Sequence, residues 1–277
     1  MYDQSSVLIA LTLFAFILIV IDVGFRLGRR ARLATAEPIK SQINAILAAV
    51  LGVLALLLGF TFSLALQRYD SRSQAAVDEA NAIGTAYLRA QLLPAGMRDQ
   101  VGALLRDYLD LRVQAGSTNL ADPSSRAPLL RQSSQITGEL WSVARQAAEQ
   151  DARPVTSGLF IQALNDMIDS YGRRDAALSR HVPEIVLYLL FATFLMAGSI
   201  LGYASGIEGS RATFPTIMMA ALIVLLVFLI IDLDRPRRGL IQVSQKNLTD
   251  LQQTIANSRT PAAQPGGAPD APKAIRR

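Results

Sequence analysis

The chain has 277 residues, of which 51% are hydrophobic, 18% charged and 6% aromatic, with a net charge of +5 and a mean hydropathy of +0.30. Such a hydropathy with so few charges excludes an ordinary soluble domain of this length. The absence of cysteine excludes a disulfide framework, a thiol nucleophile and any cysteine-ligated metal, and a single histidine, His181, excludes a multi-histidine metal site.

The apolar residues are bunched. Four windows carry no charge at all: Gln4–Ile21, Ser41–Gln67, Ile185–Ile207 and Ala212–Ile231, of 18, 27, 23 and 20 residues. A helix needs about 20 residues to cross a ~30 Å hydrocarbon layer. All four therefore read as spans, at about residues 6–25, 43–66, 184–206 and 212–232. The first runs on into Arg26, Arg29, Arg30 and Arg32 and lacks the basic leader of a cleaved signal, so it reads as an uncleaved anchor. The expected architecture is all-α: a transmembrane hairpin over 1–66, an extramembrane insert over 67–182, a second hairpin over 183–233, a helical segment over 234–257 and a disordered tail over 258–277.

The insert reads as helical. Met97, Val101, Leu104, Leu105, Tyr108 and Arg112 recur at three- and four-residue spacing. Leu159, Ile161, Leu164, Met167, Ile168, Tyr171 and Leu178 form a second, less regular stripe. Gly116–Pro128 between them reads as a loop, and Pro154 as another break. The segment Arg68–Val182 holds 13 basic and 13 acidic residues, so it offers no basic face to nucleic acid despite the high isoelectric point.

Catalysis finds no support. The chain lacks a phosphate-cradling glycine loop, H-E-x-x-H and G-x-S-x-G, and neighbouring carboxylates such as Asp78 and Glu79 point about 100° apart on a helix. No enzyme activity, cofactor or metal site is expected.

Two patterns invite a functional reading. On the helix leaving the second span, Asp78, Asn81, Thr85 and Arg89 fall on one face. They suit either a polar edge between packed helices or the lining of a wet passage. Within the second span, Leu56, Phe60 and Leu64 form a row four residues apart. Around an oligomer axis that row would make three apolar rings, although any apolar span contains such a row. Gly198, Gly202 and Gly206 in the third span make a small-residue ridge suited to close helix packing.

The run Leu58-Gly59-Phe60-Thr61-Phe62-Ser63-Leu64-Ala65-Leu66, followed by Arg68-Tyr69-Asp70-Ser71-Arg72, resembles the second-span exit of bestrophins. Val77 to Arg89 and the distal Asp232 to Ile241 are similar to bacterial bestrophin-like membrane proteins, as is the order of spans and insert. Where bestrophins carry an acidic residue and Pro-Phe-Gly, this chain has Pro236-Arg237-Arg238-Gly239. The resemblance implies a homo-oligomer in a bacterial cell membrane, a pentamer in the family's pattern, passing small ions along second spans grouped at its axis. With Tyr69 on the family tyrosine, it places Leu64, Phe60 and Leu56 at an apolar neck; the charges just beyond that row, Arg68, Asp70 and Arg72, read as its rim.

Orientation is indicated in two ways that disagree. Arg26, Arg29, Arg30, Arg32 and Lys40 favour a cytoplasmic first loop by the positive-inside rule, whereas the resemblance puts the insert and C-terminus in the cytoplasm. The competing functional reading is a non-conducting membrane anchor whose helical insert binds a partner.

Overall fold

The computed structural model describes residues 5–34, 36–118, 123–211, 213–236 and 240–258. Among the described residues eight α-helices and no strand carry the fold: α1 (Ser6–Ala31), α2 (Glu37–Ala90), α3 (Ala95–Ser117), α4 (Pro123–Gln150), α5 (Leu159–Ser179), α6 (Glu184–Glu208), α7 (Thr213–Asp234) and α8 (Lys246–Asn257). A π-helical turn over Pro154–Gly158 leads into α5. Among the described residues four helices are long and apolar enough to cross a membrane, and the chain is an integral membrane protein.

α2 is one unbroken helix of 54 residues, about 81 Å long at 1.5 Å per residue. The expected division at residues 66 and 67 falls inside it. Nothing in the sequence there stops a helix: Gln67-Arg68-Tyr69-Asp70 changes polarity without a glycine or proline. Membrane and extramembrane halves are therefore joined by a continuous rod.

In the membrane half, α1, α2, α6 and α7 pack around Leu13, Ile17, Leu54, Phe194, Val227 and Ile231. The α1–α6 contact is the closest. Gly198 sits against Val20 and Ile21, and added Cβ atoms at Gly202 and Gly206 would run into the backbone carbonyls of Ile21 and Phe25. α1 answers with Gly24 and Gly28 against Ser199 and Tyr203. With lipid as apolar as leucine, such backbone proximity is what holds spans together. At the membrane edge Asp22 of α1 binds Arg26 at 2.7 Å and Arg211 beyond α6.

The extramembrane half is a helical bundle of α3, α4, α5, α8 and the distal part of α2, built on Ile83, Leu105, Tyr108, Leu140, Phe160 and Met167. Ala75, Ala76, Ala80, Ala86 and Ala90 put the small side of α2 against its neighbours. The expected loop at Gly116–Pro128 is shorter than read: α3 runs to Ser117 and α4 begins at Pro123, with Pro128 inside it. Pro154 does interrupt the chain, opening the π turn where its missing N–H costs no bond. The Ser258–Arg277 tail and the Arg237-Arg238-Gly239 stretch lie almost wholly outside the described residues.

Candidate functional site

The 3.6-residue period divides α2 into two long faces. Leu54, Thr61, Ala65, Arg72, Ala76, Glu79, Ile83, Ala86 and Ala90 are buried against the rest of the protomer. The opposite face is open along the helix. In the apolar half it carries Gly52, Leu56, Gly59, Phe60 and Ser63, and beyond Leu66 it carries Gln67, Asp70, Ser71, Gln74, Asn81 and Thr85. Leu56 is 58% exposed, Phe60 61% and Leu64 37%. Nothing lies within 4 Å of a Cβ placed on Gly52 or Gly59, so the face is open at those two positions.

Beyond the membrane half, the open face borders a groove of about 650 Å³ between α2 and α5. Asp70 and Asp78 line one wall and Arg173 and Arg180 the other. Asp70 is exposed and Arg68 half-buried. Asp78 accepts a 2.8 Å hydrogen bond from Gln74. Asn81 and Thr85 are exposed, whereas Arg89 turns aside and donates to the Leu159 carbonyl at 3.1 Å. Four residues read as one stripe thus divide: three border open space, and Arg89 clamps the start of α5.

Arg72 is not at a rim. Its residue is 2% exposed, and its guanidinium donates to the carbonyls of Ala177 (3.2 Å), Arg180 (2.6 Å) and Leu233 (3.1 Å). Asp234 lies 3.7 Å from it. The physical reason is register: Arg72 is seven residues, two turns, from both Ala65 and Glu79, and so shares their buried face. That spacing was the signal available to sequence reasoning. The junction it builds joins α2, the end of α5 and the end of α7. Asp234 accepts from the Val182 amide at 2.9 Å, and Asp232 from the Ile241 amide at 2.9 Å.

A second buried group was not singled out from the sequence. Glu79, fully buried, accepts from Arg112 Nε at 2.6 Å and from Arg174, which also reaches the Gln245 side chain. Burial opposes the charge on Arg112, yet Glu79 holds its pKa above the usual arginine value. Helical spacing puts Arg112 in the α3 stripe with Tyr108, but only the tertiary fold brings the α2 carboxylate to it.

Among the described residues, no cluster of three or more His, Asp or Glu side chains could hold a metal ion. The open face presents an apolar length, then hydroxyls, amides and charges.

No curated protein matches the chain. Among solved structures, a crystal structure described as a membrane protein matches at 15% identity with a TM-score of 0.65, covering 89% of this chain and 98% of that one. A variant of the bacterial bestrophin homologue from Klebsiella pneumoniae matches at 15% identity and a TM-score of 0.65, covering 90% and 97%. A second variant of that homologue gives 15%, 0.65, 89% and 98%. At such identities these likenesses speak for the fold. The sequence model of the bestrophin-like domain matches residues 9–248. A four-span helical chain with one continuous second helix and a bundled insert, matched over that length, belongs to the bestrophin-like family.

Proposed function

We propose that the protein is an oligomeric ion channel in which copies of α2 surround a common axis and Leu56, Phe60 and Leu64 form an apolar neck. The observation that carries this reading is the open face of α2. A row of leucine and phenylalanine, 58% and 61% exposed at its first two positions, continues along the same helix line into Gln67, Asp70, Gln74 and Asn81. The rest of the protomer leaves this face uncovered on both sides of the Gln67–Asp70 boundary, which is where copies of α2 would meet around an axis.

In this arrangement the neck is a dry constriction whose barrier is the cost of stripping water from an ion. Arg68 and Asp70 would stand at its polar end and bias which small ion gathers there, since fixed charge changes local ion concentration. The partners are the lipid bilayer, further copies of the same chain and the permeating ion.

Flux through liposomes containing the purified protein tests this. Phe60→Ala should raise ion flux over the parent by widening the neck and letting water wet it. Phe14→Ala, a change at a half-buried α1 residue in the membrane core, should not raise it. Absence of flux from both the parent and the Phe60→Ala protein would overturn the channel and favour a non-conducting membrane anchor.

A further inference from the structure

A pocket of about 170 Å³ lies in the extramembrane bundle, away from the open face of α2. α3 contributes Tyr108, α4 contributes Leu130, Ser133, Ser134 and Thr137 from one helical face, and α5 contributes Ile168 and Tyr171. Ser134 is exposed, so the pocket opens to solvent.

Its walls differ in chemistry. Leu130 and Ile168 supply an apolar side. Tyr108 is 2% exposed and lines the pocket, and its hydroxyl makes no hydrogen bond to any described residue. The half-buried Tyr171 likewise makes no hydrogen bond to a described residue, so both hydroxyls are free to donate into the pocket. Ser133 and Thr137 donate their protons within α4, to Leu129 at 2.9 Å and Ser133 at 2.8 Å, which leaves the tyrosines and Ser134 as the available donors.

Charge behind these walls favours an anion. Arg112 lies with its guanidinium carbon 4.6 Å from the centre of the Tyr171 ring and four residues after Tyr108 on α3. It shares the Glu79 carboxylate with Arg174, so two buried guanidiniums face one carboxylate and the group keeps a net positive charge. In a medium of reduced dielectric that excess acts over several ångströms. A cation on the Tyr171 ring also withdraws electron density and strengthens its O–H as a donor. Burial pushes the Tyr108 phenol pKa upward, so it stays protonated and able to donate.

We propose that this pocket binds a small organic anion of the short aliphatic carboxylate class, with its carboxylate held by the Tyr108 and Tyr171 hydroxyls and its chain against Leu130 and Ile168. The size permits only a few carbon atoms. The site sits between α4 and the two helices, α3 and α5, that pack on the distal half of α2, so occupancy stiffens that support, and its binding is measurable without any reference to ion flux.

The test is a titration of the full-length protein in detergent with sodium butyrate at constant ionic strength, followed by saturation-transfer NMR on the butyrate methyl group and by the thermal midpoint. Butyrate should bind saturably and raise the midpoint with concentration, and neutral butyramide should bind at least tenfold more weakly. Tyr108→Phe, which removes one hydroxyl at constant volume, should weaken butyrate about tenfold, as loss of a bond to a charged group does. Ser134→Leu fills the exposed mouth and should abolish binding; being a surface change, it keeps the test valid if Tyr108→Phe does not fold. Equal binding of butyrate by the parent and Ser134→Leu proteins, equal binding of butyrate and butyramide, or no saturable binding by the parent would each overturn the proposal.

Discussion

Glu79 is the residue on which the extramembrane bundle turns. It is fully buried and joins α2 to α3 through Arg112 and to α5 through Arg174. Removing the one negative charge leaves two buried guanidiniums without a counter-ion, a loss that breaks buried pairs at about 3–5 kcal/mol. Glu79→Gln should therefore lower stability by that order, seen as a large fall in the thermal midpoint of the full chain. Asp78→Asn, one residue away, should change stability by less than about 0.5 kcal/mol, because Asp78 is only half-buried and bonded to Gln74 of its own helix. The two substitutions separate a buried charge from a surface one on consecutive residues. Sequence alone presents Asp78 and Glu79 as equivalent carboxylates, and even the sign of their difference depends on which face of α2 the bundle covers. For Arg72 the register was readable: seven residues from Ala65 and from Glu79, it could not share a face with Asp70.

At the scale of helices, α1 and α6 approach until backbone meets backbone. Gly202→Ala places a methyl on the Ile21 carbonyl, and the pair must separate. Such overpacking costs about 1–3 kcal/mol, so the variant should show a lower thermal midpoint and reduced recovery from membranes. Gly138 in α4 and Gly172 in α5 have open space where a Cβ would stand. Gly138→Ala should raise stability by about 0.5–1 kcal/mol, because alanine loses less backbone entropy in a helix. A ridge of glycines four apart is legible as a packing device. Its partner is not, since several spans offer small residues.

The joint between α4 and α5 rests on Asp151. Its carboxylate takes hydrogen bonds from Arg153 Nε (2.8 Å) and Nη2 (2.9 Å), from the Arg153 amide (3.1 Å) and from the Thr156 hydroxyl (2.7 Å). The Arg153 guanidinium first, and the Thr156 hydroxyl after it, hold the carboxyl well below the usual carboxylate range. A folded-state pKa below the unfolded one stabilises fully above the unfolded value of about 3.9 and fades as pH falls through the folded value. Amide exchange over residues 155–159 should therefore show unchanged opening, after correction for intrinsic rates, between pH 7 and 5. In the Asp151→Asn protein, those amides should open faster at both pH values.

For the whole molecule, the decisive quantity is what covers the open face of α2. If copies of α2 line an axis, detergent-purified particles should show a closed ring with that helix innermost, fivefold in the pattern that the bestrophin resemblance implies. Class averages of electron micrographs decide it. Monomers or dimers would leave Leu56 and Phe60 facing lipid and move the function to the insert.

Spans, helical class and the amphipathic stripes of the insert were determined by the sequence by itself, because each follows from local quantities. Charge-free length sets a bilayer crossing, three- and four-residue spacing sets an amphipathic helix, and proline sets a break at residue 154. The family too was legible, in the passage from Phe60 through Asp70 and in the order of spans. Tertiary structure alone decided the rest. It sent Arg72 into the junction with Asp234, gathered Arg112 and Arg174 on Glu79 across sequence separations of 33 and 95, and brought two tyrosines to one pocket. These pairings join residues whose local spacing carries no record of one another. Which buried charge finds which partner depends on how whole helices rotate and approach, and that is set by the sum of all their contacts.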